Sequence, residues 1–337
     1  MHRYPGPAAA LLAGLLALTT ACSAPSGGAD AAPPATAAPS SGSGSPGTSY
    51  APYVNATRAS GLDSAGSPAV YNLAFVISDG SACTPLWHGV TAVTDAAAVS
   101  RVRALTDGGA AVRVSFGGAA GTELAATCDS APALARAYGE ALDAAGATRA
   151  DFDIEGEALT DSASLALRSE AIALLQRERP GLQVSFTLPV MPDGLDAAAL
   201  ALLASANRAD VQVSTVNIMT MNYAESYDGD MGDYALAAAR AAHAQLRRIF
   251  GTSDATAWKA LALTSMLGVN DVGGETFTLQ DAAQVRAFAA EKGIGWVSVW
   301  ASFRDRPCAP GASSDDPATN CSGVRQEAGA FAEALSG

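Results

Sequence analysis

The stretch of this sequence best suited to chemistry is Asp151-Phe152-Asp153-Ile154-Glu155. Read as a β-strand, it puts Asp151, Asp153 and Glu155 on one face and Phe152 and Ile154 on the other, because successive side chains alternate. Carboxylates two residues apart on a strand sit only about 7 Å from each other. Ionising all three is costly, since each charge disfavours its neighbour, so at least one carboxyl is expected to titrate above the ordinary acid range. A carboxyl that still holds a proton near neutrality is what a general acid needs. Two other chemistries fit an isolated acidic alternation: a solvated face on a half-buried strand, and a Ca²⁺ site built from oxygen ligands.

The elements that must hold this stretch follow from the pattern around it. Past the first fifty residues, short apolar runs alternate with amphipathic ones. Strands are expected at Tyr50–Val54, Tyr71–Ile77, Ala111–Phe116, Ala150–Glu155, Gln183–Leu188, Ser214–Met221, Ala260–Met266 and Trp296–Trp300. Helices are expected at Ala97–Leu105, Ala131–Ala145, Ser162–Arg179, Ala197–Ala206, Tyr234–Ile249, Leu279–Lys292 and Val324–Leu335. Repeated β-then-α units of this size imply parallel strands, and their number fits an α/β fold of the (β/α)₈ TIM-barrel type better than a doubly wound sheet. No Gly-rich phosphate loop opens a helix, which argues against nucleotide binding. In such a barrel the site lies at the C-terminal ends of the strands. Those ends carry Ser115-Phe116-Gly117-Gly118, the acidic triplet, Met219-Thr220-Met221-Asn222-Tyr223, Met266-Leu267-Gly268-Val269-Asn270-Asp271, and Trp300. Acids, a tyrosine and a tryptophan converging on one face suit a sugar, whose ring stacks on Trp while polar groups fix its hydroxyls.

Composition narrows the classes further. The chain has 337 residues, 49% of them hydrophobic, enough for a large core. A net charge of −13 argues against nucleic acid, which needs a basic surface. After Arg3, the apolar run from Ala8 to Leu18 is too short to span a membrane and suits a signal-peptide core. It ends in Leu18-Thr19-Thr20-Ala21-Cys22, which resembles a bacterial lipobox with Thr19 where leucine is usual. Residues 1–22 are therefore expected to be a signal peptide, with Cys22 lipidated and the protein held outside the cell on the membrane's outer face. Residues 23–49 are Ala, Pro, Ser and Gly with almost no large apolar side chain, as in a disordered tether, and leave 50–337 for the folded domain. Of five cysteines, setting Cys22 aside leaves Cys83, Cys128, Cys308 and Cys321, an even number that suggests two disulfides in an exported chain. Cys308 and Cys321 bracket a polar loop and are expected to close it, which leaves Cys83 for Cys128. Metal binding is not expected, because no pair has close ligand spacing and no histidine lies near one.

Against this background a resemblance emerges. Ser115-Phe116-Gly117-Gly118 matches the SxGG motif of glycoside hydrolase family 18 on the third strand, and Asp151-Phe152-Asp153-Ile154-Glu155 matches the end of that family's DxxDxDxE motif on the fourth. The run from Met266 to Asp271, with Trp300 and Arg304-Asp305-Arg306-Pro307-Cys308, resembles the family's single-domain bacterial and archaeal chitinases. The resemblance implies retaining, substrate-assisted hydrolysis of chitin or chito-oligosaccharides, without metal or organic cofactor, by a monomer. Glu155 would be the general acid, Asp153 would hold the substrate's acetamido N–H, Asp151 would sit beneath, and Tyr223 would bond the acetamido oxygen. Trp300 would floor the subsite of the distorted sugar, and Asp271 would either contact the sugar or cap its loop.

The chain departs from the motifs at two places. Thr148 stands at the first acid of DxxDxDxE, and Asn222 stands where an Asp beside the tyrosine is usual. A gapless match to the commoner MxYD form would put Met221 on the tyrosine; strand parity with Met219 and Met221 favours Tyr223. An endo-β-N-acetylglucosaminidase acting on N-glycans shares the fold and the acid motif. A non-catalytic chito-oligosaccharide-binding protein on a degenerate barrel is the third reading, against which Glu155 speaks because such proteins typically lose that glutamate. The connection from Met266 to Trp296 is too short for the large insertion domain some members carry there, so an open groove and endo cleavage are expected.

Overall fold

The computed structural model describes residues 47–312 and 320–337. The signal segment, Cys22 and the tether as far as Pro46 lie outside the described residues. The folded part takes in Thr48 and Ser49, which were assigned to the tether: the Thr48 hydroxyl is buried and donates to the Ala289 carbonyl at 2.9 Å.

Strands β1 (Ser49–Tyr50) and β2 (Tyr53–Asn55) open the fold and lead into β3 (Val70–Ile77). The short β4 (Leu86–Trp87) and β5 (Thr91–Ala92) form antiparallel pairs at its edge. Next come β6 (Ala111–Gly117), β7 (Arg149–Asp153), β8 (Gln183–Pro189), β9 (Val213–Met219) and β10 (Leu261–Met266). A small hairpin of β11 (Gly268–Val269) and β12 (Thr276–Phe277) precedes the last strand, β13 (Trp296–Trp300). From β3 through β6, β7, β8, β9 and β10 to β13, every neighbouring pair is parallel. The N-terminal segment touches both ends of this sheet, since β1 pairs with β13 and β2 with β3. Pro52, which has no N–H to donate, separates the two pairings. The α/β order expected from the sequence is thus observed.

Register explains how the site is held. Phe116, Phe152 and Phe186 are cross-strand partners on β6, β7 and β8, and their rings lie 5.3 and 5.7 Å apart. Tyr138, from the helix Ala131–Ala145, packs against the first two. Alternation then sends the residues between them to the opposite face, as the rows Ser115–Asp151–Ser185 and Gly117–Asp153–Thr187. One row of aromatic anchors locks the register, and a slip by one residue would bury the acids among the helices. Helices start where Asp, Ser or Thr side chains accept their first N–H groups, as at Asp95, Ser130, Asp161, Asp196, Asp230, Ser253 and Thr278.

The strand expected at Tyr50–Val54 is split into β1 and β2, the helix expected from Tyr234 starts at Met231, and three further boundaries differ where they bear on the site or the chain's last helix. Strand β7 stops at Asp153, and Glu155 precedes a short helix, Gly156–Thr160, that uses none of its side chain as a cap. Strand β9 stops at Met219 rather than Met221. The last helix begins at Ala330 rather than Val324, where Asp305 accepts the N–H groups of Phe331 and Ala332 at 3.1 and 2.8 Å. Both disulfides form as expected, Cys83–Cys128 and Cys308–Cys321.

Candidate active site

A cleft of about 470 Å³ opens at the C-terminal ends of the parallel strands. Asp153 and Glu155 line it, with Trp300, Asp271, Asn222 and Met221 from the sequence reading and Tyr53, Phe75, Thr187, Met191 and Thr264 from elsewhere. Asp151 lies one step deeper, 1% exposed. Its carboxylate accepts hydroxyl donors from four sides: Ser115 and Ser185 at 2.6 Å each, Tyr53 at 3.0 Å, and Thr187 at 2.9 and 3.0 Å. Thr187 can donate there because Asn217 Nδ2 donates to it at 3.0 Å, while Asn217 Oδ1 accepts from Thr264 at 2.9 Å. The four hydroxyls around Asp151 can therefore all donate to it.

Above this hub the electrostatics change sign. Burial, then the charges of Glu155 and Asp151, push the Asp153 carboxyl well above the usual carboxylate range, and Asp153 shares a hydrogen bond with Glu155. Burial also raises Glu155, an effect that the bond from Asp153 partly reverses. The two acids therefore titrate as a pair, each shifted upward by burial. Asp153 lines the cleft, and its Oδ1 is buried without a hydrogen-bond partner.

Two glycines let the adjacent strand come this close. A Cβ on Gly117 would overlap the Asp153 carbonyl oxygen, and one on Gly118 would lie 2.8 Å from the Phe75 ring. Both have positive φ, 98° and 94°, so the SxGG stretch shapes the wall and contributes no reactive group. Beneath the acids lies Arg113, whose guanidinium sits 3.9 Å over the Trp296 ring and donates to Asn72 at 2.5 Å. Burial lowers Arg113 to about 10, against the opposing pull of Asp151 and Tyr53.

Trp300 forms the cleft floor with Phe75, their rings nearly parallel at 19° and 5.4 Å apart, and Tyr53 meets Trp300 edge-on at 5.8 Å. This gives a flat apolar platform beside the acid pair. Asp271 is exposed at the rim. Arg304 does not pair with Asp305; it donates to the Val269 carbonyl at 2.9 Å and ties the last strand's end to β11.

Tyr223 is the sequence-predicted site residue that the structure places elsewhere. It does not line the cleft; its ring packs with Tyr227 and Tyr234, and its buried hydroxyl has no partner. Burial, then the charge of Glu275, raises this hydroxyl far beyond the ordinary tyrosine range. The parity argument failed because parity lasts only as long as the strand. With β9 ending at Met219 and Asn222 at φ 53°, the chain turns and sends Tyr223 inward while Met221 and Asn222 face the cleft. Glu157 is also off the cleft, exposed on its short helix. Tyr53, Phe75, Asn217 and Glu275 escaped the sequence reading, since their value lies in partners distant along the chain.

A parallel α/β sheet carrying a coupled acid pair and a ring platform at its strand ends is the architecture of a glycosidase cleft. No protein-family model matches the chain. It is similar to a probable bifunctional chitinase/lysozyme of Escherichia coli, 34% identical over 277 residues, which make up 77% of this chain and 31% of that protein. Endochitinase 11 of Metarhizium anisopliae is 33% identical over 279 residues, 77% of this chain and 53% of that protein. The chain thus spans between a third and about half of the length of these curated relatives. Among solved structures, active domain 2 of the thermostable chitinase from Pyrococcus furiosus, complexed with chito-oligosaccharides, superposes with a TM-score of 0.75 at 30% identity, covering 86% of this chain and 94% of that one. The chain belongs to the family of these chitinase catalytic domains, glycoside hydrolase family 18.

Proposed function

We propose that this domain is a chitinase that cleaves β-1,4-linked N-acetylglucosamine chains with retention, using the substrate's own acetamido group as nucleophile on a (β/α)₈ barrel. The observation that carries this reading is the Asp153–Glu155 pair, both raised by burial and lining one cleft, beside the Trp300–Phe75 platform. Glu155 delivers a proton to the glycosidic oxygen as the C1–O bond breaks, and the acetamido oxygen closes on C1 to give an oxazolinium ion. Asp153, left as a carboxylate, accepts the acetamido N–H and stabilises the developing cation. Glu155, now unprotonated, takes a proton from the water that opens the ring. The hydroxyl cradle around Asp151 keeps that acid fixed below, and Asn222 lines the cleft beside Met221. In Glu155→Gln, oligosaccharide binding should persist while turnover falls by about 10²–10⁴-fold; full turnover in a folded variant would sink the mechanism. Parallel assays on a chito-oligosaccharide and a high-mannose glycopeptide separate the chitinase from an endo-β-N-acetylglucosaminidase, and loss of neither substrate identifies a non-catalytic binder.

The same reading extends to delivery and shape. The domain works as a monomer, tethered outside the cell through a lipid on Cys22. Between β10 and β13 lie only the β11–β12 hairpin and the helix Leu279–Lys292, which supports an open groove and endo cleavage. Cys22→Ala should shift the protein out of the membrane fraction or leave its precursor uncleaved; a normally processed, membrane-held variant refutes the anchor.

A further inference from the structure

Two walls of the cleft come from turns rather than from strands. The end of β9 contributes Met221 and Asn222, and the connection after β10 contributes Asp271. The first wall is conformationally demanding, because Asn222 occupies the left-handed region at φ 53° that residues other than glycine seldom adopt. Directly behind it stands Glu275, 1% exposed, which does not line the cleft. Glu275 Oε1 accepts the Ala224 N–H at 3.0 Å, and its Oε2 is buried without a hydrogen-bond partner. Burial raises the Glu275 carboxyl above its ordinary range, and the Ala224 N–H works against that shift. The backbone of Glu275 holds the other wall. Its carbonyl accepts the Asn270 N–H at 3.1 Å and its N–H donates to the Val272 carbonyl at 3.3 Å, closing the loop that carries Asp271. Asn270 is anchored in turn to the carbonyls of Met266 and Gly268 at 3.0 and 2.9 Å.

We propose that Glu275 is a positioning residue, whose carboxylate clasps the 222–224 turn so that the Asn222 carboxamide faces the bound sugar, and whose backbone fixes the neighbouring Asp271 loop. It acts through Asn222 and touches no substrate. This inference rests on the reading of the cleft as a sugar site with Asn222 among its contacts. Glu275→Gln keeps the size and one acceptor oxygen but can present an NH₂ to the Ala224 N–H, whereas Asn222→Ala removes the carboxamide itself. If Glu275 works through Asn222, each variant lowers kcat/KM on a chito-oligosaccharide by about tenfold, and the double variant falls no further than Asn222→Ala, within about twofold. Losses that multiply in the double variant overturn the proposal. A second readout needs no substrate: hydrogen exchange at the Asn222, Tyr223 and Ala224 amides should quicken by about tenfold or more in Glu275→Gln, with β7 amides unchanged. Unchanged exchange at the turn also overturns it. Should Glu275→Gln fail to fold, Glu275→Asp, which withdraws the carboxylate by one methylene, is read in the same two ways. A wild-type protein that leaves the oligosaccharide intact contradicts the chitinase reading, and the exchange measurement still decides the clasp.

Discussion

Glu123 and Asp153 are both buried carboxylates beside the ends of β6 and β7, and the protein surrounds them with opposite chemistry. Glu123 receives a guanidinium, Arg168, at 2.7 Å, together with the Tyr138 hydroxyl and the Ala125 N–H, both at 2.9 Å. Asp153 receives no cation; its neighbours are two more carboxyls, and among the described residues none of the three takes part in an ion pair. Direct pairing with a cation pins a charge in place, which serves structure by joining three elements of the fold. Crowding carboxyls in a desolvated pocket holds a proton that can be passed on, which serves chemistry. The one buried cation below the acids, Arg113, is spent on Asn72 and the Trp296 ring, so it does not claim that proton.

Removing the cation from the first cluster should have the largest effect. Arg168→Met leaves Glu123 buried and unpaired, and should cost about 3–5 kcal/mol of stability in denaturant unfolding, while turnover per folded molecule is retained. A loss of turnover at full folding would mean that the clusters are not separable. Combining it with Glu123→Leu should restore part of the loss, since a buried ion pair exchanged for apolar side chains is often neutral.

The second cluster should respond to pH in the opposite sense from an ordinary ion-paired acid. Because the fold raises the Asp153 carboxyl above its unfolded value, the group's contribution is fully present in acid and is lost as pH rises through the folded-state titration. Asp153→Asn cannot ionise and escapes that loss. Its stability relative to the parent should therefore rise between acidic and mildly alkaline buffer, within the ordinary range for one substitution of about 0.5–3 kcal/mol. Thermal unfolding of both proteins across that pH range measures it; a difference that does not change with pH contradicts the assignment of the raised carboxyl to Asp153.

The same two clusters show what a sequence discloses. The acid row and its Phe152 anchor were legible because strand alternation is local and its apolar half is locked by neighbours of the same pattern. Cys83–Cys128 and Cys308–Cys321 were legible from count and loop composition. Tyr223 was misplaced because a left-handed Asn222 ends the alternation three residues after the last residue of β9, and Asn announces a positive φ less plainly than Gly does. The hydroxyl cradle of Asp151 was hidden because Tyr53 lies 98 residues away in sequence and Asn217 acts only through Thr187. Glu275 looked like a loop acid, since nothing in a sequence marks a carboxylate that binds backbone rather than side chains.

The central claim is that the Asp153–Glu155 pair serves a nucleophile brought by the substrate. Proton NMR of the anomers released in the first moments of chito-oligosaccharide hydrolysis, before mutarotation, tests it most directly. The account predicts that the new reducing ends appear as the β-anomer; their appearance as the α-anomer would contradict it.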